Sequence, residues 1–243
     1  MTATVTMPVQ TLPPCDKRPQ RIPWLENGDH LSQPEFHRRY SAMPSHIRAE
    51  LIGGRVYMSS PLRLPHGRAS RHLAALLGVY QAATPGVDGM DNTTTVLGED
   101  SEPQPDHALR ILPEFGGQSR ENAEQYLVGA PELIIEIAHS SLSVDLHEKK
   151  ADYRGAKVRE YIVLCVEEQQ LRAFDLPAGK VLPVSSDGIY RSKVFPGLWI
   201  STKAFFGKDL AGLLRVGRRG LKSPDHKAFV KQMKAKVAKR PKR

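Results

Sequence analysis

Three charged side chains, Glu136, Asp106 and Lys149, lie within or next to segments that are predicted to be strands and a helix of the protein core. Glu136 falls inside the apolar strand Leu133–Ala138, and Asp106 precedes a second apolar stretch. Lys149 lies on the helix predicted to follow the Glu136 strand. An unpaired carboxylate in an apolar strand is costly, so Glu136 must be neutral, paired or bound to a cation. Two carboxylates and an ammonium are the minimum set for metal-assisted phosphodiester hydrolysis, with Mg²⁺ preferring oxygen ligands.

Each of these residues also has a purely structural interpretation. A salt bridge or an exposed sheet edge would explain Glu136, and a Pro-Asp dipeptide is usually a turn or the start of a strand. Lys149 stands four residues after Asp145 and four before Tyr153, so the three share a helix face and could form an ordinary ion pair. The pairing of the two acids with the lysine is what favours a catalytic site.

The elements that must position these residues follow from hydrophobic periodicity. Helices are predicted over residues 32–42, around residues 69–80 and over residues 143–155, with a hairpin at residues 51–58. Strands are predicted near residues 93–97, 108–112, 133–138, 161–166, 171–176 and 194–200. Continuous apolar strands joined through a helix indicate a sheet covered on both faces, with at least one parallel crossover. The predicted fold is α/β, with a mixed central β-sheet flanked by helices.

The positive charge is concentrated at the end of the chain. Of 35 Lys and Arg, 12 lie from Arg215 onward with one acid, Asp225, leaving 23 bases and 25 acids in residues 1–214. Ser223 and Pro224, followed by apolar residues at four-residue spacing, predict a capped amphipathic helix with a basic outer face. Such a tail can bind phosphates without reading sequence, although basic termini are often only solubilising. The basic residues predicted to bind nucleic acid are Arg218, Arg219, Lys222, Lys231 and Lys234.

Composition excludes several classes of protein. The chain has 243 residues, of which 40% are hydrophobic and 25% charged, values typical of a globular protein. Two cysteines, Cys15 and Cys165, cannot form a disulfide framework or a zinc cluster. No apolar run approaches the roughly 20 residues of a membrane helix, and no secretory signal pattern opens the sequence. A cytoplasmic protein without a membrane partner is expected.

An ordered set of motifs over residues 30–205 resembles the Uma-two (Uma2) family of predicted endonucleases. That family belongs to the PD-(D/E)xK, restriction-endonuclease-like superfamily. The resemblance rests on Pro105-Asp106, on the run from Gly129 to Ile137, on Asp145, Lys149 and Tyr153, and on the run from Val158 to Tyr161. It also includes the hairpin with Glu50, Pro61, His66 and the run from Val194 to Trp199.

The resemblance implies a restriction-endonuclease-like fold and assigns roles to individual residues. Asp106 matches the metal-binding aspartate and Glu136 the second acidic ligand. The lysine expected two residues later is replaced by Ala138, and Lys149 on the next helix resembles its counterpart. Further implied metal ligands are Glu50, acting through water, and the backbone carbonyl of Ile137.

Taken together, these observations predict a Mg²⁺-dependent endonuclease, with Mn²⁺ as a substitute and DNA rather than RNA as the expected substrate. Asp106, Glu136 and Lys149 are the predicted catalytic residues. His66 either contacts a phosphate or caps the helix that follows it. Residues 1–28 are expected to be a disordered leader, residues 29–209 an endonuclease-like domain and residues 210–243 a basic helical tail.

Three alternatives stay open. The chain could be a catalytically inactive nuclease-fold module that binds nucleic acid or a protein partner. It could also hydrolyse a smaller phosphodiester, since residues 1–214 are slightly acidic. Nucleases that cut both strands are often dimers, so a homodimer also stays open, although no interface is visible in the sequence.

Overall fold

The computed structural model describes residues 22–139 and 142–238, so most of the predicted leader lies outside the described residues. The strands are β1 (Ala49–Ile52), β2 (Arg55–Met58), β3 (Val87–Asp91), β4 (Thr95–Val96), β5 (His107–Ile111), β6 (Arg120–Glu121), β7 (Leu127–Val128), β8 (Leu133–Ala138), β9 (Glu160–Cys165), β10 (Gln170–Asp175), β11 (Lys180–Leu182), β12 (Ile189–Arg191) and β13 (Trp199–Ser201). The α-helices are α1 (Gln33–Tyr40), α2 (Leu64–Ala83), α3 (Leu142–Leu146), α4 (Glu148–Gly155), α5 (Thr202–Phe206), α6 (Leu210–Leu221) and α7 (Pro224–Ala238).

A six-stranded sheet in the order β11-β10-β9-β8-β5-β3 forms the centre of the fold. Its pairs are antiparallel except β8 and β9, which are parallel and connected through α3 and α4. The predicted mixed sheet with a parallel crossover is therefore confirmed. The most buried strands are β8 and β9, in which every residue is buried, because helices or loops cover both faces.

The two faces of the sheet carry separate cores. Side chains of Leu133, Ile135 and Ile137 join one cluster, which also contains residues of α2, α6 and α7. Ile134 and Ala138 join the other cluster, together with Tyr153 of α4. Because side chains alternate along a strand, Glu136 projects to the same side as Ile134 and Ala138. The strand thus presents its one acid towards α4.

The helix predicted over residues 143–155 is instead two short helices, α3 and α4, separated at His147. The Tyr161 hydroxyl donates to the Asp145 carbonyl at 2.9 Å. In a continuous helix that carbonyl would accept from the amide of residue 149, so the tyrosine provides an alternative partner where the helix breaks. Asp145 and Lys149 nevertheless stay close, with 3.9 Å between Oδ1 and Nζ.

Two other sequence predictions need adjustment. The strand predicted over residues 194–200 is confined to β13, because Pro196 and Gly197 form a turn in which the Leu198 amide donates to the Phe195 carbonyl at 3.0 Å. Gly197 has φ +92°, a conformation that favours glycine. The edge strand β3 was not predicted, since in its sequence VDGMD only Val87 is buried.

The basic C-terminal helices pack on the domain. Leu213 of α6 and Met233 of α7 are buried within the cluster that also contains α2. The predicted N-cap is present in α7, where the Ser223 hydroxyl accepts from the His226 amide at 3.2 Å. Within the described part of the chain, no helix has both the length and the apolar character needed to cross a membrane.

Candidate active site

Strand pairing brings Asp106 and Glu136 together. β5 and β8 are antiparallel, with His107 opposite Ile135, so the residue before β5 lies beside the residue after Ile135. The Asp106 amide donates to Glu136 Oε2 at 3.2 Å, and the Ile137 amide donates to Asp106 Oδ2 at 2.8 Å. Each acid is thus held by the backbone of the other's strand, which fixes both carboxylates at one end of the sheet.

Lys149 lies at the centre of a group of acids. Its Nζ is 3.0 Å from Glu136 Oε1 and 3.0 Å from Glu50 Oε2, and it lies 3.9 Å from Asp145 Oδ1. The β1–β2 hairpin supplies Glu50, β8 supplies Glu136, and the two short helices supply Asp145 and Lys149. The distant β1–β2 hairpin and the three consecutive elements β8, α3 and α4 therefore meet at this ammonium group.

The net effect of burial and neighbouring charges is to raise the pKa values of both Glu136 and Lys149. Burial raises the pKa of Glu136 well above its ordinary value, and the nearby acids add to this while Lys149 opposes it. Burial also disfavours the charged form of Lys149, but Glu136, Glu50 and Asp145 outweigh it and raise the lysine pKa. The ammonium therefore stays charged, and the cluster retains an excess of acids over bases.

His66 lies at the start of α2 and contacts Asp106, with 3.1 Å between Nε2 and Oδ2. This hydrogen bond raises the pKa of His66. Burial works against the Asp106 carboxylate, but His66 and the Ile137 amide lower its pKa. Within the described residues His66 Nδ1 is buried without a hydrogen-bond partner. The ring therefore has an unused polar atom beside the acids, whereas it makes no capping bond to α2.

Glu50 has a second hydrogen-bond partner in addition to Lys149. The Gln104 amide donates to Glu50 Oε1 at 2.7 Å, and the Gln104 side chain donates to the Tyr40 hydroxyl at 2.9 Å. Sequence inspection did not identify Gln104, because nothing in its local pattern indicates that it lies beside the hairpin.

Tyr153 is a second residue that the predicted set did not include. Its hydroxyl donates to Glu136 Oε1 at 2.7 Å, and its ring is fully buried. Its spacing of four residues from Lys149 predicts a shared helix face, and both side chains do contact Glu136 Oε1, but no catalytic or metal-binding role was predicted for it.

The acids, Lys149, His66 and Gln104 line a cavity of about 450 Å³. All six residues predicted around the metal and the scissile bond contribute to its wall: Glu50, His66, Asp106, Glu136, Ile137 and Lys149. Arg48 and Arg63 also line this cavity, and neither was predicted.

The five basic residues of the tail that were predicted to bind nucleic acid lie outside this cavity. They are exposed on α6 and α7 or between these helices, and none lines the cavity. α6 and α7 pack against the face of the sheet opposite to the Glu136 side chain. The structure thus separates the basic tail from the acidic cavity, and phosphate binding by the tail stays a prediction.

The donor set is suited to a hard divalent cation. Within the described residues no three His, Cys, Asp or Glu side chains form a complete metal-ligand group. Mg²⁺ nevertheless binds through one or two carboxylates and completes its shell with waters and substrate oxygens. Asp106 and Glu136, adjacent to each other with Glu50 and Asp145 in the same cavity wall, fit that requirement.

Comparisons with known proteins agree with this architecture. A crystal structure described as "a putative nuclease belonging to DUF820" from Anabaena variabilis is similar to this chain, with a TM-score of 0.57 and 14% identity. The match covers 70% of this chain and 96% of that one, and it supports the restriction-endonuclease-like fold. None of the curated proteins matches the chain. The model of the Uma2 family, described as "Putative restriction endonuclease", matches residues 33–203. The chain therefore belongs to the Uma2 family.

Proposed function

We propose that the protein is a metal-dependent endonuclease that hydrolyses phosphodiester bonds in nucleic acid, with DNA as the expected substrate. The observation that carries this proposal is the convergence of Asp106, Glu136 and Lys149 on one cavity from β5, β8 and α4. Membership of a family described as "Putative restriction endonuclease" supports the same reaction class. A structural salt bridge alone would not require the second acid, Asp106, beside Glu136.

Asp106 and Glu136 would hold Mg²⁺, with Glu50 supporting the shell through water and the Ile137 carbonyl as a further ligand. When bound, the ion supplies charge for polarising the phosphodiester and for lowering the pKa of water. Mn²⁺ has similar ligand preferences and is expected to substitute.

Lys149 has two tasks in this proposal. Its ammonium lies 3.0 Å from both Glu136 and Glu50, and its charge opposes the rise in the pKa of Glu136 that burial causes. It also donates a hydrogen bond that can orient the attacking water, and its charge offsets the negative charge that develops on the phosphate. The Tyr153 hydroxyl holds Glu136 Oε1, which leaves Oε2 directed towards Asp106.

His66 is placed to bind the substrate or to hold Asp106. Its Nε2 contacts Asp106, while the unpartnered Nδ1 can donate to a phosphate oxygen or a water molecule. The hydrogen bond to Asp106 favours the protonated ring, and a positive charge there attracts a phosphodiester.

The test is Mg²⁺-dependent cleavage of supercoiled plasmid by the full-length protein and its Glu136→Gln and Asp106→Asn variants. Each isosteric change should reduce cleavage at least 100-fold, because it removes one of two carboxylate ligands. Glu132→Gln is the matched control, since this buried glutamate precedes the same strand but accepts only backbone N–H bonds outside the cavity. Undiminished cleavage by either site variant would refute the mechanism.

Calorimetric titration with Mg²⁺ and Mn²⁺ separates the catalytic proposal from the noncatalytic alternative. Binding that the Glu136→Gln change abolishes, and the Glu132→Gln change preserves, supports the proposed metal site. An absence of metal binding by the wild-type protein would favour a module that binds nucleic acid or a protein partner without cleavage.

A further inference from the structure

Two exposed leucines lie where the segment after β2 meets the first residue of α2. The side chains of Leu62 and Leu64 are 69% and 64% exposed, with Arg63 between them. Pro61 and Pro65 flank the three residues and restrict the backbone on either side. Two exposed leucines within three residues of a restricted segment form a small apolar surface that contact with a partner would cover. We call residues 62–64 the leucine projection.

The leucine projection lies at the edge of the acidic cavity. Residues 57–63 form a continuous part of the cavity wall, together with His66 at the next turn of chain. The Ser59 amide donates to the Arg48 carbonyl at 3.0 Å, which ties this segment to the start of the β1–β2 hairpin. A molecule bound in the cavity beside Asp106 and Glu136 therefore lies next to Leu62 and Arg63 of the leucine projection.

The same edge is positively charged, although the cavity itself is acidic. Arg48 and Arg63 are exposed, and within the described residues neither makes an ion pair. Arg68 and Arg71 are also exposed, and they follow Leu64 by four and seven residues along α2. This spacing places Leu64, Arg68 and Arg71 on one face of the helix. A row of arginines thus extends from the cavity along α2.

We infer that the leucine projection and the arginines of this edge form the surface that binds a nucleic-acid duplex, with the arginines on phosphates and the two leucines against the bases. This inference rests on the proposed function and adds where the substrate lies. A polyanion needs basic contacts beside a cavity whose acids would otherwise repel it, which the four arginines supply. Apolar side chains that enter a groove can partly unstack a base step and bend the duplex.

The experiment uses the full-length protein, EDTA to prevent cleavage, and a DNA duplex of about 20 base pairs containing 2-aminopurine, whose fluorescence rises when it unstacks. Affinity is measured at several salt concentrations for the wild type and for the double variant Leu62→Ser/Leu64→Ser. Val181→Ser is the matched control, because Val181 is 71% exposed but lies on β11, outside this edge. Thermal melting checks that each variant is folded.

The leucine variant should bind at least tenfold more weakly and lose the fluorescence rise, since two buried apolar contacts disappear. Its salt dependence should stay unchanged, because no charge is removed. Arg68→Gln/Arg71→Gln should show the reverse, a salt slope smaller by about 1.8 with the fluorescence rise retained. The Val181→Ser control should match the wild type in both measurements.

Two results would overturn the inference: no binding by the wild type, or a leucine variant whose affinity and fluorescence equal those of the Val181→Ser control. Failure of the proposed function is distinguishable. A wild type that shows the expected binding and fluorescence in EDTA but never cleaves with Mg²⁺ contradicts the nuclease proposal alone. A wild type that cleaves while the leucine variant binds normally contradicts only the location of the duplex.

Discussion

Replacing Lys149 with methionine tests the electrostatics of the site most directly. Methionine keeps an unbranched side chain but removes the cation within contact of Glu136, Glu50 and Asp145. At 3.0 Å an ion pair in a medium of effective dielectric constant 20 is worth about 5 kcal/mol before desolvation. Removing one partner of a buried pair costs about 3–5 kcal/mol in measured cases. We therefore expect Lys149→Met to lower the free energy of unfolding at pH 8 by about 3–5 kcal/mol.

The loss of unfolding free energy caused by Lys149→Met should be smaller at low pH than at high pH. Glu136 already has a pKa raised by burial, and loss of the ammonium raises it further. A carboxyl whose pKa is higher in the folded state contributes stability below its unfolded pKa of about 4.3 and loses it as pH rises through the folded pKa. The destabilisation of Lys149→Met should therefore shrink as pH falls from 8 to 5, by up to about 1.4 kcal/mol per pH unit for one proton.

Urea denaturation at pH 5, 6.5 and 8 measures this effect, with Lys150→Met as the matched control on the same helix. Lys150 lies over the Phe174 ring at 4.7 Å from its centroid, a contact worth about 1 kcal/mol or less, with little pH dependence. Cleavage of plasmid should fall at least 100-fold for Lys149→Met and little for Lys150→Met. If both variants unfold alike at pH 8, Lys149 is not the counter-charge of the buried acids.

Two further predictions concern other parts of the molecule. Burial raises the pKa of Asp152 to about 6, although the Ser101 hydroxyl donates to it, so its contribution to stability is full below pH 4 and lost as pH rises through 6. In urea denaturation, the free energy of unfolding of Asp152→Asn should therefore increase by about 2–3 kcal/mol relative to that of the wild type as the pH rises from 4 to 7.5. Free energies of unfolding that change in parallel with pH would contradict this. Lys231→Glu/Lys234→Glu on the exposed side of α7 should reduce the salt slope of DNA binding by about 1.8 or more without changing the 2-aminopurine signal. An unchanged slope would mean that the basic tail does not contact phosphates.

The structure also changes how the tail can be tested. Deleting residues 215–243 is the simplest experiment that the charge distribution suggests. Met233 and His226 of α7 are buried, however, and Gly217 of α6 packs closely on Leu76 of α2. A deletion would expose the core of the domain, so a loss of binding could reflect unfolding. Charge substitutions at exposed positions avoid this difficulty.

Local sequence was sufficient to predict the parts of the fold that depend mainly on hydrophobic burial. The continuous apolar character of β8 and β9 predicted buried strands, and a single acid within such a strand identified Glu136 as unusual. The short connection after β8 predicted that its following helix would return beside it, which placed Lys149 near that acid. These predictions succeed because hydrophobic burial and chain connectivity are readable without knowledge of distant contacts.

Contacts between distant segments could not be read in this way. The helix break at His147 accompanies a hydrogen bond from Tyr161, and Gln104 meets Glu50 only because the hairpin packs beside the loop before β5. The uneven charge of the chain predicted phosphate binding by the basic tail. Arg48 and Arg63, which make no ion pair within the described residues, lie instead at the cavity. Sequence determined the buried strands β8 and β9, the acid within β8 and the total charge, since these follow from residue type and spacing. Tertiary packing alone decided that Arg48 and Arg63 lie at the cavity and that the basic residues of α6 and α7 do not, because side chains far apart along the chain become neighbours only when the sheet and helices assemble.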